Sequence, residues 1–225
     1  MEGINEFRQL EPNTLVTELV AYIELELPNF PTSLEFIDVL EQKKNENQHS
    51  LSFCLYMTNG CKSKFYFARE NAQKGSSVID IGVYRGSILI FTIEAKLLPV
   101  PLKNDSGRNE HEYVFGKGAA IQRFKDGKHG LDNNDSLLDE NGVIAFVKES
   151  DFDFWLTKVN QWVIEASWKE SEKLKKAYFT SIGKLTSIHQ RYDNSNVTLH
   201  HFWVDVNSLK QAQHIKTFGL KSYHQ

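Results

Sequence analysis

A chain of 225 residues with 40% hydrophobic and 12% aromatic content can bury one substantial core, which excludes a fibrous or wholly disordered class. The formal net charge of −3 excludes a uniformly basic nucleic-acid binder, and no apolar run approaches the ~20 residues needed to span a bilayer. Two cysteines, Cys54 and Cys61, are too few for a disulfide framework or a zinc site, and Met1 to Phe7 lacks the basic and apolar regions of a leader, so a cytoplasmic protein is expected.

In chain order, residues 13–27 predict an amphipathic helix with Asn13 as N-cap, an apolar stripe at Leu15, Leu19, Tyr22 and Ile23, and Pro28 as its stop. A short second helix follows over 32–42. Residues 50–58 and 64–69 alternate in the manner of strands around Asn59-Gly60. Further strands are predicted over 77–84 and 87–98, ended by Pro99 and Pro101. Residues 103–113 read as a polar loop over a site, and 116–124 as a helix broken by Asp126-Gly127 and Gly130. A strand over 142–147, an aromatic-rich helix over 152–167 capped by Asp151 or Asp153, a lysine-bearing helix near 169–190 and a strand over 197–206 complete the pattern. These elements define one mixed α/β domain, with a core over about 13–147 and a C-terminal extension over about 148–225.

Charge is distributed unevenly. Residues 1–49 hold three Lys/Arg against ten Asp/Glu, whereas residues 96–130 hold seven against four, a net of +3 that leaves room for a local phosphate-binding face.

The most demanding residues are Asp80, Glu94 and Lys96, two acids and a lysine inside apolar strands. Burying a charge costs several kcal/mol unless it is paired or holds a metal. Acid-x-Lys also occurs at Glu41-Gln-Lys43 and Asp126-Gly-Lys128, but in polar contexts that require no compensation. Strand periodicity puts Thr92, Glu94 and Lys96 on one face. Asp80 joins them if it pairs with Thr92, whereas a two-residue Arg85-Gly86 turn would pair it with Phe91 and separate the carboxylates. A three- or five-residue connection, or a bulge at Gly82 or Gly86, is therefore expected. Two carboxylates suit Mg²⁺, with Mn²⁺ as a substitute, and Lys96 would stabilise negative charge on a substrate phosphate. A buried structural ion pair at the sheet end is the competing explanation.

At these residues the chain resembles the PD-(D/E)XK nuclease superfamily: Asp80, thirteen intervening residues, then Glu94-Ala95-Lys96 on a strand hairpin. The resemblance covers a little over half the chain, and Ile79 stands where the motif has proline. It implies a restriction-endonuclease-like αβββαβ core, a central mixed sheet flanked by helices, to which this chain adds C-terminal helices and a strand. It also implies Asp80, Glu94 and the Ala95 carbonyl as Mg²⁺ ligands and Lys96 as the catalytic lysine. Some members add a glutamate from the first helix, for which Glu18 is the choice over Glu24 and Glu26. Some carry a glutamine after Glu-x-Lys, a place Gln122 fits. Lys117, Arg123, Lys125 and Lys128 are candidate DNA contacts.

The remaining features carry less. His200-His201 point to opposite faces of a strand and cannot chelate one ion together. His111 and His129 read as exposed loop residues, and Phe154, Trp155, Trp162 and Trp168 as a packing stripe or partner surface. Lys169, Lys173, Lys175, Lys176 and Lys184 would form one basic helix face, solvated or tracking DNA. No phosphate-loop or hydrolase-elbow motif is present. The expectation is a Mg²⁺-dependent deoxyribonuclease, a homodimer of restriction, anti-phage defence or DNA processing. The alternative is a non-catalytic interaction subunit of a larger complex that keeps the fold.

Overall fold

The computed structural model describes residues 12–41, 45–62, 64–73, 75, 77–101 and 109–206. Helices α1 (Pro12–Glu26), α2 (Leu34–Glu41) and α3 (Glu46–Gly60) precede strands β1 (Tyr66–Ala72), β2 (Val78–Arg85) and β3 (Ile88–Leu98). Helix α4 (Ala120–Lys125), strand β4 (Glu140–Val147) and helix α5 (Phe152–Glu165) follow, then strands β5 (Lys175–Phe179), β6 (Ile182–Gln190) and β7 (Asn196–Asp205). The seven strands make one mixed sheet in the order β1-β2-β3-β4-β7-β6-β5. β3, β4 and β7 are mutually parallel at its centre, and antiparallel strands extend it on both sides.

Each sheet face buries its own core. On one face Leu19 and Ile23 of α1 and Phe53 and Met57 of α3 pack against Phe91, Ile93, Ile144 and Phe202. On the other, Ile121 and Phe124 of α4 and Val159, Trp162 and Val163 of α5 meet Val143, Ala145 and Trp203. Full burial of each such side chain is worth about 1.5–3 kcal/mol. Trp155 and Trp162 belong to this core, whereas Phe154 is 50% exposed, so the aromatic stripe is mainly packing. Asp151 caps α5 by accepting the Phe154 N–H. No helix among the described residues is long and apolar enough to cross a membrane.

Two predicted elements are corrected. Residues 50–58 are helical, within α3. Leu51, Phe53, Leu55 and Met57 do alternate, but only Phe53 and Met57 are buried, and with His49 they recur every four residues along one helix face. Asn45, whose side chain accepts the Gln48 N–H, supplies the start signal. The predicted lysine-bearing helix near 169–190 is instead the β5–β6 hairpin. Lys175 and Lys176 lie on the short edge strand, where charge discourages further pairing. Lys184 points inward, 3% exposed, so no continuous basic helix face exists there. The C-terminal third is therefore part of the sheet, and β7 pairs with the whole length of β4 from Glu140↔Thr198 to Val147↔Asp205.

The β2–β3 hairpin settles the register. Its turn is two residues, Gly86-Ser87, with Gly86 at φ +60° and Arg85 opposite Ile88. Carried on without interruption, that pairing would set Asp80 opposite Ile93 and turn it away from Glu94. A bulge at Ile90 of β3, facing the step between Val83 and Tyr84, shifts the register by one, giving Gly82↔Thr92 and Ile81↔Ile93. Continued, this places Asp80 opposite Glu94 rather than Thr92. The expected bulge exists, but not at Gly82 or Gly86. Gly82 has another role, because a Cβ there would lie 2.6 Å from the Asn71 side chain.

Candidate functional site

The β2–β3 pair opens into a fork at the end where the charges lie. Ile81↔Ile93 is its final ladder pair, while Ile79 and Val78 remain paired with Asn71 and Ala72 of β1. Beyond that point the inner N–H groups of β3 need new acceptors, since an unpaired buried donor costs about 1–3 kcal/mol. Carboxylates supply them. Ala95 N–H donates to Asp80 Oδ2 at 2.8 Å, and Leu97 N–H donates to Glu46 Oε2 at 3.1 Å. A strand residue's N–H and C=O point to the same side, so the Ala95 carbonyl also faces the fork.

Glu94 and Lys96 are 2% and 4% exposed. Lys96 Nζ donates to Glu94 Oε1 at 2.9 Å, and Arg123 Nη1 approaches the same oxygen at 3.4 Å. Lys96 Nζ also lies 4.0 Å from Glu46 Oε1. Fully buried His129 brings Nδ1 within 3.2 Å of Glu94 Oε2, but off the line of a hydrogen bond. Glu94 Oε2 and both ring nitrogens of His129 are thus buried without a hydrogen-bond partner among the described residues.

Burial acts to raise the Glu94 carboxyl, but Lys96 and His129 outweigh it and hold it at about 2. Burial acts to lower Lys96, yet the Glu94, Glu46 and Asp80 carboxylates lift it above its ordinary value, so it is an ammonium donor and not a base. Asp80 goes the other way. Burial first, and then the charge of Glu94, push its carboxyl up to about 7, against the pull of Lys96 and the Ala95 N–H. The fork therefore sets three carboxyls, Glu94, Glu46 and Asp80, around the single Lys96 ammonium, and ionisation of Asp80 needs further positive charge.

That deficit fits a hard divalent cation. Asp80, Glu94 and the Ala95 carbonyl are oxygen donors at adjoining positions of the fork, and Oε2 of Glu94 is an acceptor still to be satisfied. Among the described residues no three His, Cys, Asp or Glu side chains are arranged to hold an ion by themselves. An ion here would complete its shell with water or substrate oxygen, as Mg²⁺ does when it binds phosphates.

The remaining sequence candidates divide. Gln122 uses its Oε1 to accept the Gly116 N–H at 2.8 Å, which secures the loop before α4. Glu18 lies outside the fork, in an ion pair with Lys64 at 2.8 Å. The helix acid that does arrive is Glu46, because α3 and not α1 points its N-terminus at the end of β3. Lys125 is not a surface contact. It is buried in an ion pair with Glu172, its ammonium 4.5 Å from the centre of the Trp168 ring. Lys117 and Lys128 are exposed near the fork, Lys128 paired with Asp126 at 2.8 Å.

Sequence reasoning missed Glu46, His129 and the proximity of Arg123 to Glu94. Glu46 vanished with the strand assignment of 50–58, although Asn45-Glu46 is a helix-start signal. His129, expected to be exposed, is buried because the tight loop after α4 folds beneath Glu94, with the N–H groups of Lys128 and His129 both donating to the Arg123 carbonyl. No periodicity marks such a residue. His200 and His201 do face opposite ways: His200 bonds Glu140, and His201 lies between Tyr113 and Ser187.

No protein-family model, curated protein or solved structure matches this chain.

Proposed function

We propose that the protein is a metal-dependent nuclease that hydrolyses DNA phosphodiester bonds, and that its first four strands with α1 to α4 form a restriction-endonuclease-like core. The observation that carries this reading is the fork, in which Asp80 takes the N–H of Ala95, the residue between Glu94 and Lys96, and Lys96 lies against Glu94. The order of elements supports it: helices, an antiparallel β1-β2-β3 meander, helix α4, and β4 parallel to β3.

A bound Mg²⁺ would supply Lewis acidity toward a phosphoryl oxygen and a more acidic water. Asp80, Glu94 and the Ala95 carbonyl are the groups that would hold it. Lys96, kept charged by its carboxylate neighbours, would donate to the phosphate as negative charge develops there. Glu46 and Asp80 take the Leu97 and Ala95 N–H groups, so the edge of β3 at the fork is bonded to carboxylates and not to β2. Lys96 and Arg123 hold positive charge against Glu94 Oε1 and keep the carboxylate ionised and oriented.

The test is incubation of the purified chain with supercoiled and linear DNA in Mg²⁺ or Mn²⁺. Cleavage by the wild type that is lost in Glu94→Ala and Lys96→Ala is the expected result. No wild-type cleavage, or cleavage equal in the variants, rejects the reading.

A further inference from the structure

Beside the fork lies a surface depression of about 530 Å³ whose walls include Ser77, Lys117, Gln122, Arg123, Asp126 and Lys128. Two of its walls lead straight to the charged cluster. Ser77 begins the approach to β2, three residues before Asp80, and Arg123 touches Glu94 from the other side with Nη1 at 3.4 Å from Oε1. The depression and the carboxylate fork therefore share Arg123 as a common wall.

Its charge is lopsided. Three cations line it against one acid, Asp126, and that acid is paired with Lys128 at 2.8 Å. Lys117 is exposed and makes no ion pair among the described residues. Gln122 accepts the Gly116 N–H through Oε1, which orients its amide and leaves the NH₂ group as a donor at the wall. Within the depression Lys128 faces Asp126 and Arg123 faces Glu94, so the charge that no acid among the described residues offsets is that of Lys117, which opens to solvent.

We propose that this depression is a second phosphate subsite, in which Lys117, Arg123 and Lys128 hold a backbone phosphate next to the one presented to Asp80 and Glu94. The identification of its ligand as a polynucleotide rests on the nuclease reading of the fork. The cations themselves specify only a phosphate. Phosphates recur about every 3.4 Å of rise along a strand, and Arg123 is common to the fork and the depression, so a strand engaged at one runs on toward the other. A mononucleotide would fill one of the two positions and not both. The ligand is thus a chain of at least two consecutive phosphates, read through its backbone and not its bases.

The full chain is titrated with a fluorescein-labelled DNA duplex lacking terminal phosphates, by fluorescence anisotropy in EDTA over a range of salt concentrations. Lys117→Ala and Lys128→Ala are compared with Lys175→Ala, an exposed lysine on the edge strand at the opposite end of the sheet. The expected result is that each of the first two weakens binding several-fold and flattens the slope of log K against log salt by about one, as loss of one phosphate contact does. Lys175→Ala leaves both unchanged. Identical behaviour of all three variants overturns the subsite. So does displacement of the duplex by a nucleoside monophosphate at comparable concentration, because the depression would then be a site for a small phosphate ester. The assay requires no cleavage, so the two readings fail separately. Lysine-sensitive binding without hydrolysis in Mg²⁺ leaves the subsite standing and removes the nuclease, and hydrolysis with lysine-insensitive binding does the reverse.

Discussion

Two buried glutamates on the same side of the sheet, Glu94 and Glu172, have almost the same neighbours and opposite fates. Each lies beside a lysine and a fully buried histidine, and each carboxyl is held at about 2 although burial acts to raise it. Around Glu172 both carboxylate oxygens are bonded, although His189 Nδ1, 3.6 Å away, is not. Oε1 takes Lys125 and the Gln190 N–H, Oε2 takes the Lys169 N–H, and His189 is in turn bonded to Ser187. Around Glu94 only one oxygen is bonded. Lys96 and Arg123 converge on Oε1, Oε2 has no aligned donor, and a second acid, Asp80, stands opposite with its carboxyl pushed up to about 7. A closed cluster holds a structure together, whereas a cluster left open at one oxygen and strained by a neighbouring acid is suited to accept something more.

Exchange of each glutamate for its amide gives the largest contrast. Glu94→Gln is expected to lower the rate of plasmid nicking by at least ~10²-fold, the usual scale for losing one charge-stabilising group. Glu172→Gln should leave the rate per folded molecule unchanged, and equal losses in both would erase the distinction. Next in size is stability. Glu172→Ala strands Lys125 and is expected to cost about 3–5 kcal/mol in urea unfolding, as for a broken buried pair, while the surviving folded fraction stays active.

Asp80 gives a smaller effect of opposite sign. Its folded value lies above its ordinary 3.8, so its contribution to stability is full below that value and is lost as pH rises through about 7. Asp80→Asn should therefore raise the melting temperature at alkaline pH by about 2–4 °C, the shift that ~1 kcal/mol produces in a chain of this size. Added Mg²⁺ should raise the wild-type melting temperature more than that of the variant. A variant less stable than the wild type at alkaline pH in the absence of metal would show that Asp80 belongs with the closed cluster. The smallest effect is in acid. The Glu172 carboxyl is depressed from 4.5, so its contribution is present above 4.5 and fades as pH falls through about 2. Circular dichroism of Glu172→Gln should show a shallower loss of stability over that interval than the wild type.

Sequence revealed the open cluster more readily than its surroundings. Asp80, Glu94 and Lys96 stood out because charge at apolar strand positions has few physical explanations, and strand parity demanded a register correction before the hairpin was seen. The location of that correction was not legible: Ile90, the extra residue on β3, is an ordinary β-branched strand residue with no local mark of a bulge. The α3 region failed because Leu51, Phe53, Leu55 and Met57 satisfy both periods, and only tertiary packing selects which side chains are buried. The β5–β6 hairpin failed because its lysines mimic a solvated helix face, although Lys184 is buried against Glu24. His129 depends on the path of a loop, for which sequence spacing offers no measure.

The placement of β7 has a consequence for synthesis. This strand, made after all the others described, joins β4 on one flank and β6 on the other in the middle of the sheet. Until residues 196–205 emerge from the ribosome, the nascent chain carries two separate half-sheets, each with a bare hydrogen-bonding rim. Such rims recruit foreign strands. The fork at Asp80 and Glu94 lies in the half completed first, but its supporting strand β4 gains its second neighbour only at that last step, so a chain truncated before Asn196 is expected to aggregate.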